Sequence, residues 1–520
     1  MKIKTHFLKH LLNSTSILVL IVSANIFLRI LFVFYGYIGS DEGAALYNVK
    51  LASSGLMPFI DYDGWNSLIH DYIIGIPSLF FTPTILSQRL FSVLIAMGVF
   101  VLSLRITQII DGKKEALLTA FFLTFGSAIY LYFSNFPFSE QTMTLFIVLS
   151  IYCLALNKHR QKGSFGNLAV VSAVIAAVIR SQAIPMAVSI MLYLFIRYRK
   201  NHLKAVNPIA LGFLTGVVLY APFFIKSWQH GLYAIFWPFF VDKIMLYSQY
   251  IPSKSLPQFI SFFLLGLRDY GIFFISIASA LLATSFAKRQ DVKRITDGFT
   301  LQCLIIAAMF ILTGLLHYPI DSVYIYPAVP LLSIITTHMF TVIVKNSGQL
   351  IISRFLYFFL VFAILVNFLL FPHHKVLKTS LASINQPTPS MLDKISSTIE
   401  AMTFPSDKII SFYMPAVAQT DRNVLTGLNR GHFSISILPT SYAQKFHLTN
   451  VDMLKTAISS KEAKIIILTP SYSNFLGRSG SEQLETMSLI NKNYTLAKEF
   501  PELRFIDGTN SPGLSVYISK

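Results

Sequence analysis

The sequence predicts an α-helical polytopic membrane protein of about eleven transmembrane helices with a C-terminal extracytoplasmic α/β domain. Three observations lead there. Of 520 residues, 54% are hydrophobic and only 13% charged, with a mean hydropathy of +0.60, outside the range of ordinary soluble domains. The apolar residues gather in blocks of roughly 18–24, each long enough to cross a hydrocarbon core of about 30 Å. From about Pro372 the composition turns to Ser, Thr, Asn, Asp and Lys, with short β-type runs between helical stretches. The expected division is therefore a membrane domain over 1–371 and an external domain over 372–520.

The first block, Asn13–Ile38, follows Lys2, Lys4 and Lys9. It is too long for a signal h-region and lacks a small-residue cleavage site, so it reads as a first crossing with a cytoplasmic N-terminus. An outer segment runs from Gly39 to about Leu86. Within it, roughly Asn66–Phe81 has an apolar half and a polar half carrying His70, Asp71 and Tyr72, and is expected to lie along the membrane surface. Further crossings fall near Ser87–Gln108, Glu115–Ser134, Phe138–Asn157, Gly166–Ile179, Ala183–Arg197, Pro208–Phe224, Gly271–Ala287, Thr300–Leu316, Tyr324–Val344 and Ile351–Phe371. The basic clusters Lys158–Lys162, Arg197–Lys200 and Lys288–Arg294 then all face the cytoplasm, as positive charge in short loops requires. An odd number of crossings puts the C-terminal domain outside. Strands are expected at Lys408–Tyr413, Lys464–Leu468, Tyr494–Glu499 and Leu514–Ile518, and helices at Ser390–Met402 and Asn450–Ser459.

The formal charge of +18, from 42 Lys+Arg against 24 Asp+Glu, would suggest nucleic acid in a soluble protein. Here the excess sits in loops between crossings, so membrane lipids are the expected neighbours and a polynucleotide is not. Cys153 and Cys303 both lie inside apolar blocks, which argues against a disulfide framework or a zinc cluster.

Several polar residues stand where crossings leave the bilayer. Asp41 and Glu42, just after the first crossing, suit a helix start with Ser40 or Asp41 as N-cap and Gly55 as the stop; they equally suit action on a substrate held at the membrane surface. Glu140 opens the fourth crossing at the same depth as Asp41, either as a first-turn acid or as a second carboxylate of one outer cavity. Arg180 joins two short crossings, where arginines snorkel or bind phosphate bidentately. Asn25 and Arg29 share one face of the first helix and read as structural. Asp61-Tyr62-Asp63 matches the D-x-D metal motif; no cofactor is expected, a divalent ion at this triplet being the open alternative. His317 and Tyr318, between two late crossings, are either interfacial hydrogen-bonding residues or contacts to a carrier phosphate or sugar.

This pattern resembles the polytopic GT-C glycosyltransferases, in the branch of protein O-mannosyltransferases and aminoarabinose transferases (glycosyltransferase family 39-like). The residues that carry the resemblance are Asp41-Glu42 after the first crossing, a helix ending at Gly55, Pro58-Phe59-Ile60-Asp61-Tyr62, Arg89-Leu90 and Glu140, spread over roughly Asn13–Phe195. The sequence departs by having Glu at 140, where some relatives have Asp, and Arg180, where the aminoarabinose branch has a Lys-Gly pair. The resemblance implies transfer of a sugar from a polyprenyl-phosphate donor to a hydroxyl of a glycan, lipid or protein acceptor outside the membrane, usually with inversion. It further implies Asp41 as general base, Glu140 and Glu42 orienting the acceptor or stabilising the oxocarbenium-like centre, and Arg180 holding the departing lipid phosphate; Asp61, His317 and Tyr318 are the remaining substrate-binding candidates. The implied location is the cell membrane, the inner membrane in a bacterium. Two alternatives are a transporter or flippase, which would favour repeated halves and midplane acids, and a glycan ligase or polymerase.

Overall fold

The computed structural model describes residues 14–36, 38–64, 67–236, 298–316, 324–346, 388–504 and 512–520. Thirteen helices precede the C-terminal domain among these residues: α1 (Ser14–Tyr35), α2 (Ser40–Ser53), α3 (His70–Ile74), α4 (Ile85–Ile110), α5 (Ala116–Phe125), α6 (Ala128–Phe133), α7 (Ser139–Arg160), α8 (Gly163–Ile179), α9 (Ile184–Arg197), α10 (His202–Lys226), α11 (Trp228–Phe236), α12 (Gly298–Leu316) and α13 (Val329–Asn346). By length and composition α1, α4, α7 and α10 suffice to cross a membrane, and α5, α8, α9, α12 and α13 are shorter apolar helices. They overlap nine of the eleven segments read as crossings, four of them at full spanning length. Gly271–Ala287 and Ile351–Phe371 lie outside the described residues.

One predicted crossing is broken. Glu115–Ser134 reads as a single apolar block, yet the helix stops at Gly126 and restarts as α6. Ser127 adopts an extended backbone, and its hydroxyl accepts from the Tyr130 N–H at 3.1 Å, capping α6. Gly and Ser are weak in helix interiors and strong at such junctions, a signal that hydropathy does not carry. The Asn66–Phe81 stretch holds no crossing helix among its described residues. It folds as α3 and a short 3₁₀ turn, with His70, Asp71 and Ile74 buried and Leu79, Phe80 and Phe81 exposed as an apolar edge.

Several polar side chains inside the apolar bundle bond one another. Arg29 donates from Nε to Asn25 Oδ1 (2.8 Å) and from Nη1 to Ser134 Oγ (2.5 Å) and Asn135 Oδ1 (3.1 Å), while Asn25 Nδ2 donates to Thr124 Oγ1 (3.1 Å). The pair thus ties α1 to α5 and to the end of α6, a structural role.

The C-terminal region consists of α14 (Pro389–Ala401), β1 (Lys408–Ser411), α15 (Pro415–Ala418), β2 (Asn423–Val424), β3 (Ile435–Ser436), α16 (Thr440–Lys445), β4 (Thr449–Asn450), α17 (Val451–Ser459), β5 (Ile465–Leu468), α18 (Gly480–Asn493), β6 (Tyr494–Arg504) and β7 (Pro512–Ser519). Its main sheet runs β2-β1-β5-β7-β6. β1 pairs in parallel with β2 and β5, Ile409 opposite Ile465, and β7 is antiparallel to β5 and β6. The fully buried Ile465–Leu468 is the apolar run expected of a strand covered on both faces.

This region is not a separate bead. Its core is continuous with Ile38, Ala44, Leu46, Tyr47 and Ile85 of the membrane domain. A Cβ on Gly43 would lie 2.1 Å from the Pro415 nitrogen, so only glycine lets α2 and α15 approach this closely. Lys50 donates to the carbonyls of Thr420 (2.9 Å) and Arg422 (2.8 Å), and the Tyr47 hydroxyl accepts from the Val424 N–H (3.0 Å).

The orientation of α2 is set by a buried ion pair. Arg89 Nε and Nη2 donate to the two oxygens of Glu42 at 2.7 and 2.6 Å, and Arg89 Nη1 donates to the carbonyls of Val33 (2.9 Å) and Gly36 (3.0 Å) at the end of α1. Removing one member strands a buried charge, at about 3–5 kcal/mol. Arg89→Met and Glu42→Gln are therefore each expected to be strongly destabilising, and the double variant to cost less than the two combined. Unfolding titrations in mixed micelles check this, and strict additivity would deny the coupling.

Candidate active site

The carboxylates begin at the start of α2. Its N-cap is Gly39 and makes no side-chain cap bond, so neither Ser40 nor Asp41 caps the helix as expected; the helix starts one residue early and Asp41 and Glu42 lie in its first turn. Asp41 is half-buried and Glu42 buried. Gly55, with φ +86°, follows the C-cap Ser54 and ends the helix where the sequence placed its stop.

Glu140 lies in the first turn of α7 and Arg180 at the C-cap of α8. The structure brings them together. Arg180 Nη2 is 3.0 Å from Glu140 Oε1, Arg180 Nη1 donates to Ser139 Oγ at 2.8 Å, and the guanidinium lies 5.3 Å from the Tyr324 ring centre. Both side chains are only 7% exposed, so burial makes this pair costlier to break than a surface bridge.

A chain of contacts joins this cluster to the start of α2. Arg89, held by Glu42, lies 4.7 Å from the Phe136 ring centre, and Phe136 packs on Phe138 at 5.5 Å, immediately before Ser139. The first turns of α2 and α7 are thus bridged by Arg89 and two aromatic rings.

From the other side α3 closes in. His70 Nε2 is 3.0 Å from the carbonyl oxygen of Pro137. Burial lowers its pKa to about 4, with nearby Arg180 acting in the same sense, so the ring is neutral and Nε2–H donates to that carbonyl. Asp71 Oδ2 accepts from the Tyr62 hydroxyl at 3.0 Å. Burial pushes the Asp71 carboxyl up to about 7, Tyr62 opposing this and Asp63 adding to it. The sequence offered His70 and Asp71 only as part of a polar face; that they are buried beside the Arg180 cluster was not legible without the fold.

The D-x-D triplet splits. Asp61 Oδ2 accepts from the Met57 N–H (2.8 Å) and pairs with Lys226 (3.2 Å), whereas buried Asp63 pairs with Arg430 of the C-terminal region at 2.7 Å. Each carboxylate is thus taken by a cation of the protein, which does not fit a shared divalent ion. No group of three or more His, Cys, Asp or Glu suited to a metal occurs among the described residues. His317 and Tyr318 lie outside the described residues.

Asp71 yields a pH prediction. A carboxyl whose folded pKa (about 7) lies above its usual 3.8 favours the folded state in its protonated form. Its contribution is complete below pH 4 and is lost as the pH rises through 7. Asp71→Asn, which keeps an acceptor for Tyr62, should raise the thermal midpoint above that of the parent at pH 8 and lose this advantage near pH 4. Equal midpoints at both pH values would deny the buried proton.

Residues 66–226 match the family described as dolichyl-phosphate-mannose-protein mannosyltransferase. No curated protein matches the chain. Among solved structures the chain is similar to ArnT from Cupriavidus metallidurans in the apo state, with a TM-score of 0.65 at 12% identity over 96% of this chain and 98% of that one. It is also similar to that protein bound to undecaprenyl phosphate, with a TM-score of 0.64 at 12% identity over 96% and 97%. The apo oligosaccharyltransferase of Archaeoglobus fulgidus matches with a TM-score of 0.54 at 14% identity over 94% and 73%. Identities this low show the fold, and the family match falls on the segment that contains Glu140 and Arg180. The chain thus has the polytopic fold of these GT-C enzymes, and the family match over residues 66–226 supports a membrane glycosyltransferase.

Proposed function

We propose that the chain transfers a sugar from a polyprenyl-phosphate carrier to a hydroxyl of a glycan, lipid or protein acceptor on the outer face of the membrane, with inversion at the anomeric carbon. The observation that carries the reading is the buried Arg180–Glu140–Ser139 cluster, joined through Phe138, Phe136 and Arg89 to the first turn of α2. The similarly folded ArnT bound to undecaprenyl phosphate supports a lipid-phosphate carrier.

A hydroxyl is a poor nucleophile near neutral pH, so a carboxylate must take its proton as the new C–O bond forms. Asp41 fills that role. The bond between the anomeric carbon and the phosphate oxygen breaks with its electron pair staying on the lipid phosphate, which therefore gains charge. A guanidinium has five N–H groups, and the Glu140 and Ser139 contacts use two of them, so Arg180 retains donors for a phosphate. Glu140 holds Arg180 in place and faces positive charge growing on the anomeric carbon. Glu42, with both oxygens held by Arg89, acts as a positioning residue for Asp41. The N-terminus is cytoplasmic in this reading and the C-terminal region external.

Asp41→Asn removes basicity at nearly constant size, and because Asp41 does not cap α2 the change leaves helix capping untouched. Turnover of a polyprenyl-phosphate sugar in nanodiscs should drop by a factor on the order of 10²–10⁴, with undecaprenyl-phosphate binding retained. Arg180→Ala should instead weaken that binding. Normal turnover in Asp41→Asn would remove the base assignment. Reporter fusions after Lys162 and Lys200 should read inside and one after Pro372 outside; an inside reading at Pro372 would overturn the orientation.

A further inference from the structure

The C-terminal region contains a cavity of about 420 Å³ walled by Thr426, Thr440, Gln444, His447, Asp452 and Thr456 among others, within the roughly 300–1,000 Å³ that small-ligand sites occupy. A second cavity, of about 200 Å³, shares Thr426, Gly427 and His447 with it and continues to Tyr47 of α2, Asp61, Tyr62 and Asn429. The two form one groove leading from α16 and α17 to the helix whose first turn carries Asp41. Asn429 also donates to Asn48 at 2.8 Å, and Asn48, seven residues after Asp41, lies on the same face of α2.

We propose that this groove binds a neutral, hydroxyl-rich saccharide as the acceptor, an inference that rests on the glycosyltransferase reading above. Beside apolar side chains such as Leu425, Leu448 and Met453, its lining offers hydroxyls, the amides of Asn423, Asn429 and Gln444, an imidazole and three carboxylates, Asp61, Asp452 and Glu462, with no Lys or Arg among the described lining residues. The carboxylates are each paired outward, with Lys226, Arg478 and Lys408. Such a surface offers donors and acceptors to sugar hydroxyls and repels phosphate or sulfate. His447 stands at the junction of the two cavities. Its Nε2 is buried and has no hydrogen-bond partner among the described residues, and its left-handed backbone (φ +56°), just past the C-cap Phe446 of α16, ends that helix at the groove. Burial lowers its pKa, which keeps the ring neutral.

The test uses full-length protein in nanodiscs and two variants that fill the groove from exposed helical positions, Gln444→Trp and Thr456→Trp. Binding is measured for three neutral hexasaccharides (mannohexaose, laminarihexaose and chitohexaose), for heparin hexasaccharide as the anionic control, and for undecaprenyl phosphate. The expected result is binding of at least one neutral hexasaccharide, weakened at least tenfold in both variants, with heparin hexasaccharide excluded and undecaprenyl-phosphate binding unchanged. Absence of neutral-saccharide binding, binding indifferent to both variants, or preference for heparin hexasaccharide would overturn the proposal. If undecaprenyl phosphate binds normally in those cases, the acceptor groove alone fails; if it does not bind the parent protein, the donor reading fails.

Discussion

A carboxylate and a guanidinium are buried together where the first helix ends, and the rest of the architecture hangs on how Glu42 and Arg89 satisfy each other. Neither has water to fall back on, so the bidentate contact is the condition for α2 to lie where it does. Arg89 uses its remaining N–H groups on the carbonyls that α1 leaves open at its C-terminal end, so a single side chain closes one helix and anchors the next. Asp41, one residue before Glu42, is oriented as a consequence. The C-terminal sheet then docks on the same helix through Gly43, Tyr47 and Lys50.

That docking changes what the composition boundary near residue 371 means. A shift from apolar to polar residues marks where the chain leaves the membrane, and by that criterion the last 149 residues look like an appended module. Packing says otherwise. Ile38, Leu46, Tyr47 and Ile85 share a core with Ile409, Phe412 and Met414, and the Asp63–Arg430 pair and the Asn429 bonds to Asn48 and the Asp63 carbonyl stitch the outer segment to the sheet. The segment that carries α2 and α3 is thus largely buried between the helical bundle and the sheet.

The features legible from sequence were those encoded locally. β-branched runs such as Ile465-Ile466-Ile467 announced their strands, and apolar blocks announced helices, because burial imposes period and length directly. Depth put Glu140 and Arg180 at helix ends, but their pairing with each other shows only in the fold. What escaped was of two kinds. The break at Gly126-Ser127 was hidden since flanking residues are as apolar as any span, and a chain break costs nothing in hydropathy. The Asp63–Arg430 and Asp61–Lys226 pairs join residues far apart in the chain, and a charge carries no mark of its distant partner.

The fate of Asp61 and Asp63 bears on the chemistry as well. In a D-x-D site both carboxylates turn to one divalent ion, which offsets the charge of a departing diphosphate. Here their spacing in sequence is right but their partners differ, Lys226 for one and Arg430 for the other, and the second is locked by full burial. Recruiting both to an ion would require breaking an ion pair that also holds the C-terminal region in place, a cost of several kcal/mol by the same argument that protects Glu42 and Arg89. A lipid monophosphate leaving group needs less compensation than a diphosphate, and a guanidinium oriented by a buried carboxylate meets it with directed N–H bonds. Under the proposed function, the pairing of Arg180 with Glu140 and the diversion of Asp61 and Asp63 into architecture fit together, with Arg180 as the cation that meets the leaving phosphate.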